Sequence, residues 1–183
     1  LKYKLFDIEG AVKFIEATTR EIPKIIEADP YNLNYWMTVI NFYNAVGAYE
    51  PVFISKAEAL IKECMRMSPE YQWPYFALTE NYILKKDYEN ALLTAKKVVG
   101  FDPQNDELQI RLALTGVLTS RMNVFDSALE NVRKIRASKN MNITSGRKPA
   151  LNENEMLVFA QAFKEIKNYE LSLGFYRELL AFS

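Results

Sequence analysis

The sequence contains no histidine and a single cysteine, Cys64, among its 183 residues. Without histidine the commonest general base and metal ligand is missing. Ser-His-Asp triads, Cys-His pairs and Cys/His zinc sites are therefore excluded by composition. One cysteine cannot form an internal disulfide, and it leaves the redox compartment open. Glycine and proline are scarce, at 6 and 7 residues, which argues against long linkers and against a turn-rich β protein. Net charge is lacking too: 23 Lys and Arg balance 23 Asp and Glu, so the basic footprint of a nucleic-acid binder is missing. No stretch approaches the roughly 18 apolar residues of a membrane-spanning helix. The start carries Lys2 and Lys4 with no apolar run after them, unlike a signal peptide. The chain begins at Leu1 and is expected to be a processed protein or a segment of a longer one.

What is present is apolar content, at 49%, arranged in repeats. The clearest unit spans residues 72–105, with Tyr75, Leu78, Thr79 and Tyr82 on one stretch and Tyr88, Ala91, Ala95 and Val98 on the next. Tyr75 and Tyr82 are seven apart and share a helix face. Ala91 follows nine residues after Tyr82, across a turn at 85–87, and Pro103 follows twelve after Ala91. The same spacings recur at Trp36 and Tyr43, at Leu112, Thr119 and Ala128, and at Met156, Phe163 and Ser172. Successive small residues of the second stretch, Ala57, Ala91, Ala128 and Ser172, are 34, 37 and 44 apart. The excess over 34 is expected in loops: three residues after Pro103, and ten between Asn140 and Met156. Five further residues are expected in a lengthened turn within 49–56.

A large residue, a small one four later, an aromatic, then Ala and a closing Pro: this pattern resembles the tetratricopeptide repeat. The resemblance implies an all-α fold, a right-handed α-solenoid of antiparallel helix hairpins. It parses as one domain over 1–183, with a partial repeat at 10–30 and repeats at 33–71, 72–105, 109–142 and 153–183. Helices of a hairpin cross closely only over small side chains, hence Thr79, Gly116, Ala57, Ala91 and Ala128. Tyr43, Tyr49, Tyr82, Tyr88, Phe125 and Tyr169 are expected to fill gaps between hairpins. Pro69 and Pro103, lacking an N–H, stop their helices. Residues 10–29 read as one helix with a kink or break at Pro23. The last helix, at 171–182, carries Leu171, Leu173, Phe175, Tyr176, Leu179, Leu180 and Phe182, and no capping helix follows it.

Function in such arrays resides in the groove lined by first helices. The groove set expected here is Asn34, Met37, Asn41, Asn44, Trp73, Phe76, Glu80, Arg121 and Gln161, with Ile83, Ile110, Ala113, Val117, Ser120, Leu157 and Lys164 beside them. Amides would pair with a peptide, and the aromatics would anchor it. The plainer alternative is that Trp73 and Phe76 pack on a neighbouring hairpin. The carboxylate clamp by which some relatives hold acidic tails is not carried over, because Phe76, Glu80 and Ala113 stand where cations or amides would help. The stretch 133–148 holds Arg133, Lys134, Arg136, Lys139, Arg147 and Lys148; it suits an anionic partner, or merely a helix end and a solvated loop. Asn142-Ile143-Thr144 matches an N-glycosylation acceptor. Glu153 and Glu155, like Asp102 and Asp106, are expected as helix caps rather than as catalytic or metal pairs.

A narrower likeness lies in Asp29 to Leu33, the lengthened first turn, Lys56-Ala57-Glu58 and Met67-Ser68-Pro69. These are similar to the soluble C-terminal repeat tails of bacterial O-antigen ligase and polymerase membrane proteins. That resemblance implies a module that tethers a glycan-assembly complex. The expectation is thus a non-catalytic scaffold for a protein or peptide partner. No cofactor, metal or nucleic acid is expected, and no compartment is indicated. A homo-oligomer through the last helix is the competing expectation.

Overall fold

The computed structural model describes residues 8–139 and 151–181. Within them the chain forms nine α-helices and no strand: α1 Ile8–Ala28, α2 Leu33–Gly47, α3 Val52–Met67, α4 Gln72–Leu84, α5 Tyr88–Phe101, α6 Asp106–Leu118, α7 Met122–Ser138, α8 Glu153–Glu165 and α9 Tyr169–Leu180. Asn140, the glycosylation triplet, the loop 145–149 and Phe182 lie outside the described residues. The chain divides into two compact units, Leu1–Ala77 and Leu78–Ser183.

The first unit is built on the α2/α3 hairpin. Asn32 starts α2 by accepting from the Asn34 N–H, a common way to satisfy an orphan donor at a helix start. One face of α2 buries Trp36, Val39, Ile40, Tyr43 and Val46 against Ile54, Ala57, Ile61 and Cys64 of α3. The two helices converge where side chains shrink: a Cβ on Gly47 would lie 2.7 Å from Ile54 Cγ1. The five extra residues do not form a loop within 49–56, as expected from spacing. Relative to α4 and α5, two lengthen the end of α2, two lengthen the start of α3, and one enlarges the turn. Tyr49 consequently stands 90% exposed rather than filling a gap between hairpins. α1 runs unbroken through Pro23, which is exposed. Among the described side chains of α1 only Ile22 is buried, while Val12, Phe14 and Ile25 face outward.

In the second unit α6 packs against α5, α7 and α8, and α8 pairs with α9. Its core is a cluster of four phenylalanines. Phe125 meets Phe159 and Phe163 edge-on, each at 5.4 Å between ring centres, and Phe163 stacks on Phe175 at 5.6 Å. Edge-to-face and offset packing of this kind is the preferred geometry of aromatic quadrupoles. Tyr169, expected in such a gap, is instead largely exposed at the start of α9. Ser172 occupies the small position of α9. It is buried, and its hydroxyl donates to the Ala160 carbonyl at 2.8 Å, so serine here adds a bond between helices where alanine would only fit.

Two recurrent polar devices set the register. Trp36 Nε1, Tyr75 OH and Gln109 Nε2 each donate to the carbonyl of a proline six residues earlier, Pro30, Pro69 and Pro103, at 3.0–3.1 Å. Lys86, Ser120 and Lys167 each take a positive φ of 57–62° after a first helix. At each, paired bonds close the helix end, as in Asp87 N–H to Tyr82 O and Lys86 N–H to Ile83 O, both 2.9 Å. By these markers Gln109 and Gly116 stand where Tyr75 and Tyr82 stand, not Leu112 and Thr119 as the spacing alone suggested. The three extra residues are therefore not in the connection after Pro103. They lengthen α7, which has 17 residues against 14 in α5.

Gly116 marks a close approach of α6 to α7: a Cβ there would lie 2.9 Å from the Phe125 backbone N and 3.3 Å from the Arg121 carbonyl oxygen. Nothing lies within 4 Å of the corresponding point at Gly100. In urea titrations Gly116→Ala is expected to lower the unfolding free energy by about 1–2 kcal/mol, overpacking outweighing alanine's helix preference. Gly100→Ala, in open space, should raise it by up to about 1 kcal/mol.

Candidate functional site

In the first unit, the outward stripe of α2 carries Asn34, Thr38, Asn41 and Ala45, all exposed. Their i, i+4, i+7, i+11 spacing places them on one face. Thr38 was not in the expected set, although that same spacing includes it; its hydroxyl donates to the Asn34 carbonyl at 2.9 Å. Met37 flanks the stripe, half-buried. Asn44, expected as a groove amide, is 8% exposed, and its Nδ2 donates to the Ala77 carbonyl at 3.1 Å. It ties α2 to α4 and leaves the surface set. Trp73 and Phe76, at the start of α4, are half-buried and meet edge-on at 5.7 Å. Each thus packs on the other and keeps an outward edge, which is intermediate between the anchor and the core readings.

In the second unit, Glu80 of α4 forms an ion pair with Arg111 of α6, both side chains about three-quarters buried. Burial pushes the Glu80 carboxyl above its ordinary range, with Arg111 pulling the other way. Glu80 is thereby committed to a bridge between first helices. Arg111 had no local motif to reveal it, because its partner lies 31 positions earlier and only helix packing joins them. Arg121 starts α7 and pairs with Glu89 at 2.7 Å. Gln161, Leu157 and Lys164 are exposed on α8, and Ser120 is exposed in the turn before α7. Ile83 and Ile110 are half-buried, while Ala113 and Val117 are wholly buried and cannot line a surface. On the second-helix side a cavity of about 420 Å3 is lined by Met122, Phe125, Leu129, Leu151, Leu171 and Phe175.

The described part of the basic stretch is largely neutralised by partners. Arg136, 9% exposed, donates through Nε to Asp106 at 2.8 Å and through both terminal nitrogens to Glu155 at 2.7 and 3.0 Å. Lys139 adds a bond to Asp106 at 3.3 Å, and Arg133 pairs with Glu130. Glu155 also closes a capping box with Asn152 at the start of α8. The carboxylates expected as caps thus hold Arg136, joining the starts of α6 and α8 to the end of α7. A planar guanidinium suits this two-sided recognition. Arg147 and Lys148 lie outside the described residues.

Cys64 is buried on α3, and burial first, with the nearby Glu63 charge second, pushes its thiol up to about 11. It stays protonated and unreactive at neutral pH. Among the described residues no group of three His, Cys, Asp or Glu is placed to hold a metal ion, and no helix is long and apolar enough to cross a membrane.

No protein-family model matches the chain, and no curated protein matches it. Solved structures do, among them two of MamA. A crystal structure of MamA aligns over 99% of this chain and 95% of its own, with a TM-score of 0.60 and 12% identity. A second, of MamA protein, aligns over 96% and 86%, with a TM-score of 0.59 and 12% identity. MamA is a tetratricopeptide-repeat protein. The fold is therefore that of a tetratricopeptide-type helical solenoid. The likeness to O-antigen ligase tails has no counterpart in these comparisons.

Asp106 generates a pH dependence. Burial works to raise its pKa, but the bonds from Arg136 and Lys139 outweigh it, and the net shift is below the ordinary 3.8. A depressed carboxyl contributes stability that is present above the unfolded-state pKa and is lost as pH falls through the folded one. Unfolding free energy should thus fall as pH drops below about 4, and fall less steeply in Asp106→Asn. Arg136→Met, which leaves two part-buried carboxylates without their shared cation, should cost about 3–5 kcal/mol at pH 7 by chemical denaturation.

Proposed function

We propose that the protein is a non-catalytic scaffold that holds a protein or peptide partner on the exposed faces of its first helices. The observation that carries this reading is the pairing of a rigid hairpin framework with an outward stripe that is not needed to hold it together. In α2 the buried face does the packing, while Asn34, Thr38 and Asn41 are presented to solvent. The half-buried Trp73 and Phe76 supply an aromatic edge in the same unit. Buried aromatics with one exposed edge, beside adaptable amides, are the composition of interface hot spots. The likeness to MamA supports the fold on which the reading depends. In the second unit the exposed Gln161 on α8 is proposed by itself as a contact of the same kind, while Arg121, just before α7, is paired with Glu89. Glu80 is assigned to its ion pair with Arg111.

The test is affinity capture from cell extract with the wild type and with the Asn41→Ala, Trp73→Ala double variant. A partner held on this face should be lost from the variant, with an affinity drop of at least about 2 kcal/mol, while circular dichroism and the melting temperature stay within a few degrees. Equal recovery of every captured protein by both would remove the face from function.

A second reading, self-association through α9, draws on Leu171, Leu173 and Leu180, which are 40%, 53% and 75% exposed. Light scattering over a concentration series distinguishes it: mass should rise with concentration, and Leu173→Glu should abolish the rise. A constant monomer mass rejects this reading.

A further inference from the structure

Charge is distributed very unevenly over the first unit. Residues 30–49 contain no Asp, Glu, Lys or Arg, and neither do residues 71–79. All of α2 and the part of α4 that belongs to this unit are thus without ionised groups, in a chain that is 25% charged. The unit's charge lies elsewhere: Lys56, Glu58, Lys62, Glu63 and Arg66 on α3, Glu9, Lys13, Glu16, Arg20, Glu21, Lys24 and Glu27 on α1, and Asp29, Glu50 and Glu70 in the connections that border α2 and α4. Burial does not account for the bare face. Asn34, Tyr35, Thr38, Asn41 and Ala45 are exposed, and solvated helix faces ordinarily hold charges of both signs. The centres of protein interfaces show the opposite bias, being depleted of charge and enriched in Tyr, Trp, Phe and Met. Tyr35, Met37, Trp73 and Phe76 provide those residue types here.

We infer that the α2/α4 face of the first unit binds an uncharged, extended peptide segment of a partner protein, carrying an apolar side chain for the Trp73–Phe76 edge. The inference rests on the scaffold reading and specifies its ligand. Three features select this occupant. A charged peptide would lose hydration on a face that offers no counter-ion. The amides of Asn34 and Asn41 each present a donor and an acceptor, matching the backbone groups of an extended chain; a helical ligand has already spent those groups on itself. Along the helix axis Asn34 and Asn41 are about 10 Å apart, the span of roughly three extended residues. Bound this way, the peptide is recognised through its backbone and one anchor, and association gains little from electrostatic steering.

The test pans the whole chain against phage-displayed random peptides about twelve residues long and measures the selected peptides by fluorescence anisotropy. Selected sequences should be poorer in Asp, Glu, Lys and Arg than the starting library. Their Kd should change less than about twofold between roughly 0.05 and 0.5 M NaCl. Asn41→Asp and Asn41→Lys should each weaken binding at least about tenfold, whereas Lys134→Ala, on α7, should leave it unchanged. Enrichment of peptides of one charge sign that Asn41→Ala still weakens would leave the scaffold reading standing and overturn neutral selection. Peptides indifferent to every α2 variant, or no enrichment at all, would overturn both.

Discussion

Close crossing of paired helices is the constraint from which the rest follows. Two helices approach within van der Waals contact only where one presents almost no side chain. Here Gly47 and Gly116 mark such points, and Ala57, Ala91 and Ala128 on the second helices are buried to within 1%. At the two glycines even a methyl group would meet the opposing helix at under 3 Å. Interiors packed to crystal density tolerate no such intrusion. Large residues are consequently displaced to either side of each crossing, where Trp36, Tyr43 and the four-phenylalanine cluster fill the remaining volume.

Packing of this kind is strong but poorly directional, and the register is held by polar bonds. The recurrent donation to a proline carbonyl six residues back fixes where α2, α4 and α6 begin. The three positive-φ residues fix where three of the first helices end. Arg136 joins the end of α7 to the starts of α6 and α8, since its guanidinium is shared by Asp106 and Glu155. Those bonds occupy groups that a sequence reading would offer to a ligand: Asn44, Glu80 and Arg136 are spent on the framework. What is left for recognition is the surface that neither the crossings nor the register consumes. In the first unit the part of that surface on α2 carries no ionised side chain.

Hairpin repeats were legible in the sequence because helix packing repeats its demands. In the α2/α3 and α4/α5 hairpins, aromatic residues seven apart, an alanine on the second helix and a proline after it appear at fixed offsets, whereas in α6/α7 the marker positions fall on Gln109 and Gly116. No histidine and a single cysteine also bound the chemistry before any fold is known. Inserted residues were less legible. Offsets count residues without saying whether they coil or wind, and the extra residues near Tyr49 and in α7 entered helices, because helical residues satisfy their own backbone groups and loop residues do not.

The sequence alone thus determined the class of the fold, the number and order of its second-helix small residues, and the scarcity of reactive groups, since each depends on residue type and short-range periodicity. Tertiary structure alone decided which polar side chains remain available. Whether Asn44 meets solvent or Ala77, and whether Glu80 or Arg136 stands open or paired, depends on residues about 20–35 positions away brought within hydrogen-bonding distance by helix packing. No local pattern encodes that proximity.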